Sequence, residues 1–172
     1  MAREDLVAAV LIKFGKYVIQ QAKSNLSRKK QNVSGELYKS LKYNIYYSNN
    51  KFSLTFSMED YGLFQDQGVK GAKSTYGSAQ GSPYKYKDKM PPISAFSQWA
   101  VKKGLDGVRN KKGQFVKRKS LQFALARSIY EKGIPATKFF STPFKIAFKN
   151  LPIDLVEAFK ITEEDFKTFT TR

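Results

Sequence analysis

The chain has 172 residues, 41% hydrophobic and 15% aromatic, with no cysteine, no histidine and a formal net charge of +17. That is enough apolar mass for a folded core without staples, and the missing residue types exclude disulfides, thiolate nucleophiles, imidazole bases and nearly every zinc site. A pI near 9.9 points to a polyanionic partner or an acidic protein surface; the plainer reading is a lysine-rich proteome whose solvated faces are simply basic.

Met1–Asp5 lacks the order of a signal peptide, and the longest apolar run, Leu6–Ile12, is too short to span a bilayer. The expectation is a protein of a cytoplasm-like compartment with no membrane contact. From Asp5 to about Arg28, Leu6, Val10, Phe14, Tyr17, Val18 and Ala22 recur near helical spacing, with Lys13, Lys16, Gln20 and Lys23 between them. Glu4 and Asp5 at the start and Lys29 and Lys30 at the end complement the dipole of one long helix. Ser34 then opens a short helix through Leu37 and Leu41.

The period changes to two in Tyr43, Ile45, Tyr47 and again in Phe52, Leu54, Phe56. The two runs are joined by Ser48-Asn49-Asn50-Lys51, which predicts an antiparallel hairpin with one buried face. An aromatic stretch, Tyr61 to Gly71, leads into Ala72–Met90, where apolar character nearly vanishes and a structureless functional loop is expected. Ile93, Phe96, Trp99 and Ala100 share a helix face ending at Gly104, with Trp99 as a core anchor. Leu105–Lys119 is basic, with Asn110–Gly113 as a turn between two short arms. Ser120 caps a helix that stops at Lys132-Gly133, and Ile134–Phe140 is an extended apolar linker. Thr142-Pro143 opens a short helix, Leu151–Phe159 is another helical patch, and Ile161–Arg172 is a mixed tail. The pattern is α+β: a long N-terminal helix packed on a small antiparallel hairpin, then several C-terminal helices and long basic loops. It is expected to be a single domain over 1–172, with its core at about 5–150 and an arm-like extension over 151–172.

Catalytic, cofactor and metal sites are not expected. The glycines at 62, 68, 71, 77 and 81 match no nucleotide-binding turn, and no triad is possible without histidine. Glu59, Asp60 and Asp66 are the best candidates for a metal-dependent nuclease cluster, and are more simply turn, cap or interface residues. Two basic segments stand out instead. Lys70, Lys73, Lys85, Lys87 and Lys89 alternate with Tyr76, Tyr84 and Tyr86, whereas Arg109, Lys111, Lys112, Lys117, Arg118 and Lys119 have no acid among them. Such lysines suit phosphate contacts; the tyrosines suit either base stacking or a protein interface.

The order of motifs resembles the tail-component (tail-completion, or head–tail joining) proteins of tailed bacteriophages. Ser34-Gly35-Glu36-Leu37-Tyr38-Lys39-Ser40-Leu41 is similar to that family's Thr-Gly-x-Leu-x-x-Ser-Ile. Tyr61-Gly62-Leu63-Phe64-Gln65-Asp66-Gln67-Gly68 is similar to its aromatic stretch, with Gln65-Asp66-Gln67 departing from the usual Val-Glu-x. Gly133-Ile134-Pro135-Ala136-Thr137-Lys138-Phe139-Phe140 is similar to its closing motif. The resemblance implies a structural virion protein of the neck or tail, assembled in the host cytoplasm and without enzymatic activity. It would form a closed ring of about six or twelve copies against portal, connector or tail-tube proteins, with packaged double-stranded DNA as a further candidate partner. Tyr61, Phe64, Gly68, Pro135, Phe139 and Phe140 would shape the fold and the subunit contact, and the two basic loops would meet a neighbouring ring or DNA. The alternative is a protein that binds nucleic acid non-specifically, by charge in its basic loops.

Overall fold

A computed structural model describes residues 3–28, 35–49, 51–105 and 107–159. The elements, in chain order, are α1 (Arg3–Arg28), α2 (Glu36–Ser40), β1 (Lys42–Ser48), β2 (Lys51–Ser57), α3 (Tyr61–Gln67), β3 (Val69–Lys70), α4 (Phe96–Lys102), α5 (Arg118–Lys132), β4 (Gly133–Ile134) and α6 (Ser141–Phe159). Short 3-10 turns occupy Gly77–Ala79 and Ile93–Ala95. The fold is α+β, with the long first helix against an antiparallel hairpin and further helices C-terminal to it. Two compact units divide it: Met1–Lys29, Leu37–Met58 and Phe139–Arg172 form the first, Lys30–Glu36 and Glu59–Lys138 the second. No described helix is long and apolar enough to cross a membrane.

In the first unit, α1 buries Leu11, Phe14, Val18, Ala22 and Leu26, the i, i+3, i+4 stripe expected of its sequence. The hairpin pairs Tyr43 with Phe56, Ile45 with Leu54 and Tyr47 with Phe52, so each alternating apolar run falls on one face in register. Asn49 takes φ 50° in the turn, a conformation asparagine tolerates better than most residues; Asn50 lies outside the described residues. Phe14 meets Phe56 and Phe144 at ring-centroid distances of 6.1 and 5.8 Å, both edge to face. Phe56 also meets Phe140 at 5.3 Å. This aromatic cluster joins helix, hairpin and α6. At the other end of α1, Asn25 donates from Nδ2 to the Phe139 carbonyl at 3.1 Å.

Two expectations for the C-terminal half need correction. The Thr142–Phe148 and Leu151–Phe159 patches are one continuous helix, α6, with Pro152 inside it. Proline has no N–H for the Phe148 carbonyl, but long packing against α1, including Lys13 Nζ 3.8 Å from Asp154 Oδ2, keeps the axis going. Helix α5 begins at Arg118, its N-cap being Lys117 without a side-chain cap bond, so Ser120 sits inside the first turn rather than capping it. Helix α4 starts after Pro91-Pro92 and ends before Gly104, as the sequence indicates. The Trp99 side chain, Asn32–Ser34 and the Ile161–Arg172 tail lie outside the described residues.

Replacing Phe14 by Ala removes the ring that touches both hairpin and α6. It is expected to cost about 3–5 kcal/mol, read as a lower urea midpoint at unchanged denaturant slope.

Candidate functional site

The second unit is organised by a two-residue β-pairing. Val69 pairs with Ile134 and Lys70 with Gly133, antiparallel. Lys70 is held on its other side as well: its N–H donates to the Tyr84 carbonyl and its carbonyl accepts from the Tyr86 N–H, both at 2.9 Å. The aromatic stretch and the closing motif therefore meet in space. Gly68 has φ 76°, and a Cβ there would stand 2.7 Å from both the Ala136 nitrogen and the Ile134 carbonyl oxygen. Gly133 has φ 83°, with the Val69 carbonyl oxygen 2.1 Å from where a Cβ would lie. Only glycine fits either position. Beyond the pairing, the Thr137 N–H and hydroxyl both donate to the Gln65 carbonyl, at 3.0 and 2.8 Å, and the Lys138 N–H donates to the Asp66 carbonyl at 2.9 Å.

The predicted fold-motif residues divide between the two units. Tyr61, Phe64, Gly68 and Pro135 belong to the second, Phe139 and Phe140 to the first. Phe139 is fully buried there, and Phe140 joins the phenylalanine cluster. Pro135 is exposed and Tyr61 half-buried. Phe64 remains 40% exposed beside Leu63 at 42%, with the Tyr84 ring edge-on to it at 4.7 Å. Leu63 and Phe64 are thus adjacent exposed apolar side chains, two among several that include Phe115, Phe148 and Ile153. Glu59 and Asp60 lie exposed at the start of α3, while Asp66 is 2% exposed at its end. Among the described residues, no three acids, histidines or cysteines come together as a metal-holding group.

The 72–90 segment is not the free loop its composition suggests. The N–H groups of Ala72, Lys73 and Ser74 donate to the Tyr130 and Glu131 carbonyls at 2.8–3.0 Å, satisfying the last turn of α5. Ser82 Oγ donates to the Gly68 carbonyl at 2.7 Å, and the Tyr130 hydroxyl to the Lys87 carbonyl at 2.6 Å. Burial raises the Tyr86 hydroxyl above its ordinary pKa. Lys73 is also neutralised: its Nζ lies 2.8 Å from Glu131 Oε1, which Arg127 Nε approaches at 3.1 Å. Hydrogen bonds from Lys73 and then Arg127 hold the Glu131 carboxyl below its usual range. Lys70 is half-buried, whereas Lys85 and Lys87 are exposed.

The second basic segment is built differently. Arg109 and Phe115 form an antiparallel bridge, Val116 N–H donates to the Val108 carbonyl at 2.9 Å, and Gly113 turns the chain at φ 78°. Asn110 Oδ1 accepts from the Lys112 and Gln114 N–H groups at 2.9 and 3.0 Å, an Asx-type brace. The Arg109 guanidinium lies 4.0 Å from the Phe115 ring centroid and donates to the Gly113 carbonyl at 2.8 Å. Phe115 is 65% exposed, and Arg109, Lys111, Lys112, Lys117, Arg118 and Lys119 are all exposed. The Arg109–Phe115 pair was missing from the sequence reading, although the turn at Asn110–Gly113 already implied that its flanking residues face each other.

The two basic segments do not merge. One is tied to Tyr130 and Glu131 at the C-terminal end of α5, the other runs into Arg118 at its N-terminus. At 1.5 Å per residue, the ends of that helix stand about 20 Å apart. Comparisons with protein-family models, curated proteins and solved structures return no match to this chain.

Gly133→Ala is expected to destabilise the protein by at least about 2 kcal/mol, because both φ and the Val69 carbonyl oppose a Cβ. Gly113→Ala, whose Cβ meets nothing within 4 Å, should cost only the left-handed penalty of about 1 kcal/mol; urea melts compare them. Because the folded Glu131 carboxyl titrates below its ordinary 4.5, its contribution is present above that pH and lost as pH falls through the folded value. The gap in urea midpoint between wild type and Glu131→Gln should therefore be open at neutral pH and close on acidification.

Proposed function

We propose that this chain is a structural virion protein, a ring-forming component of the head-to-tail connector or tail of a double-stranded DNA bacteriophage. The observation that carries the reading is the interlock of two motif stretches far apart in sequence. Gly68, from the stretch similar to the family's aromatic motif, and Gly133, from the stretch similar to its closing motif, each stand where no side chain fits against the other segment. Two residues in stretches that resemble the family's motifs are thus ones on which the second unit's geometry depends, and this supports the reading.

The exposed Leu63–Phe64 patch supports assembly. A ring needs a heterologous contact, one face of each copy against a different face of the next, and aromatic side chains with neighbouring apolar groups are the common anchors of such contacts. Phe64 is in turn braced by Tyr84, so the patch presents a fixed shape.

Sedimentation and native mass at moderate salt test the reading. The expected result is a closed ring of several copies, with Leu63→Ser and Phe64→Ser together shifting the mass to that of one chain while the circular dichroism spectrum is retained. A chain that stays monomeric at every concentration and does not add to a portal ring overturns it.

A further inference from the structure

We propose that the Val108–Lys119 segment is a preformed nucleic-acid contact: a braced basic turn, continued by the first residues of α5, that binds the sugar–phosphate backbone. This inference does not need the ring reading, since a monomer could bind in the same way.

Three observations lead to it. First, the segment carries six cations, Arg109, Lys111, Lys112, Lys117, Arg118 and Lys119, and no acid lies between Gly107 and Arg118 or before Glu131 on α5. The other basic segment has Glu131 bonded to its Lys73; among the described residues no ion pair reaches this one. Second, the charges crowd where the fold disfavours them. Lys117, Arg118 and Lys119 surround the N-terminus of α5, whose dipole repels cations. An external polyanion removes that repulsion. Third, the turn from Arg109 to Phe115 is held without a partner by the Asn110 brace, the Arg109–Phe115 stack and the bridge between its arms, and it runs into the start of α5, so less freedom is lost on contact.

The composition favours nucleic acid over an acidic protein. Lysine is depleted at protein–protein interfaces but is a standard phosphate contact, and four of the six cations are lysines. Arg109 spends one N–H on Gly113 and keeps others for a phosphate oxygen. The exposed Phe115 ring offers a surface on which an unpaired base could stack. Backbone phosphates are common to duplex and single strand, so both are tested.

The full-length chain is titrated, over a range of salt, with a labelled mixed-sequence duplex, the matching single strand and poly-glutamate. The test variant is Lys111→Ser with Lys112→Ser and Lys117→Ser. The control removes three exposed lysines elsewhere, Lys39→Ser with Lys145→Ser and Lys149→Ser, so both variants lose the same net charge. The expected result is binding whose logarithm falls linearly with the logarithm of salt. The slope should become shallower by about 0.9 per lost duplex contact, or about 2.7 for the test variant, and change little in the control. Phe115→Ala separates the ligand forms: about a ten-fold loss confined to the single strand marks stacking on an unpaired base, and no loss on either form marks backbone contact alone. Equal slope changes in test and control variants overturn the proposal, because net charge then suffices. No binding to either nucleic acid, or binding to poly-glutamate alone, overturns it as well.

Discussion

The second unit depends on a β-pairing only two residues long. Val69–Lys70 and Gly133–Ile134 lie close enough to bond because neither Gly68 nor Gly133 carries a side chain, and both adopt positive φ. So short a ladder gives little by its own hydrogen bonds. Its effect is to place the ends of two helices, α3 and α5, and a loop around one point. The last carbonyls of α5 accept from the 72–74 backbone, and the Thr137 and Lys138 N–H groups donate to carbonyls at the end of α3. What would be a long polar loop becomes a clamp around the C-terminus of a helix.

That arrangement also sorts the charge. Lysines near the clamp are used structurally: Lys73 pairs with Glu131, Lys70 sits between two backbone partners, and the Lys87 carbonyl receives the Tyr130 hydroxyl. At the far end of α5 Arg109 braces the turn through Phe115 and the Gly113 carbonyl, and among the described residues no carboxylate pairs with the cations from Arg109 to Lys119. Helix α5 separates a basic segment in which Lys73 is paired with Glu131 from one in which no described carboxylate pairs with the cations. The apolar Leu63–Phe64 patch belongs to α3, whose end is pinned by Thr137 and Lys138. A candidate protein contact and a candidate polyanion contact are therefore both mounted on the same clamped unit.

The first unit follows different physics. Its order comes from the buried α1 stripe, a hairpin face that is half-buried with Tyr47 exposed, and phenylalanines from α1, β2 and the start of α6 meeting edge to face. Each aromatic contact is worth about 1 kcal/mol beyond the area it buries, and together they fix where α6 crosses α1. Pro152 is tolerated because this packing, rather than helix propensity, holds α6 in place.

Much of this was legible in the chain itself. Period and punctuation alone determined the long first helix, the antiparallel hairpin, the ends of α4 and α5 at Gly104 and Gly133, and the turn at Asn110–Gly113. Those features rest on local rules, such as side-chain spacing, glycine's tolerance of positive φ and asparagine's turn chemistry, and local rules can be read from neighbours in sequence. Sequence also picked out Gly68 and the Gly133–Phe140 stretch by resemblance, without saying why they matter. Only the tertiary structure decided that these two segments touch, that the 72–90 loop is clamped, and that α6 runs through Pro152. It alone divided the two basic segments into one partly neutralised and one open. Each of those outcomes turns on a contact between residues 50 or more positions apart, such as Lys73 with Glu131 or Gly68 with Ala136, and composition carries no record of which distant carboxylate or carbonyl a lysine or glycine will meet.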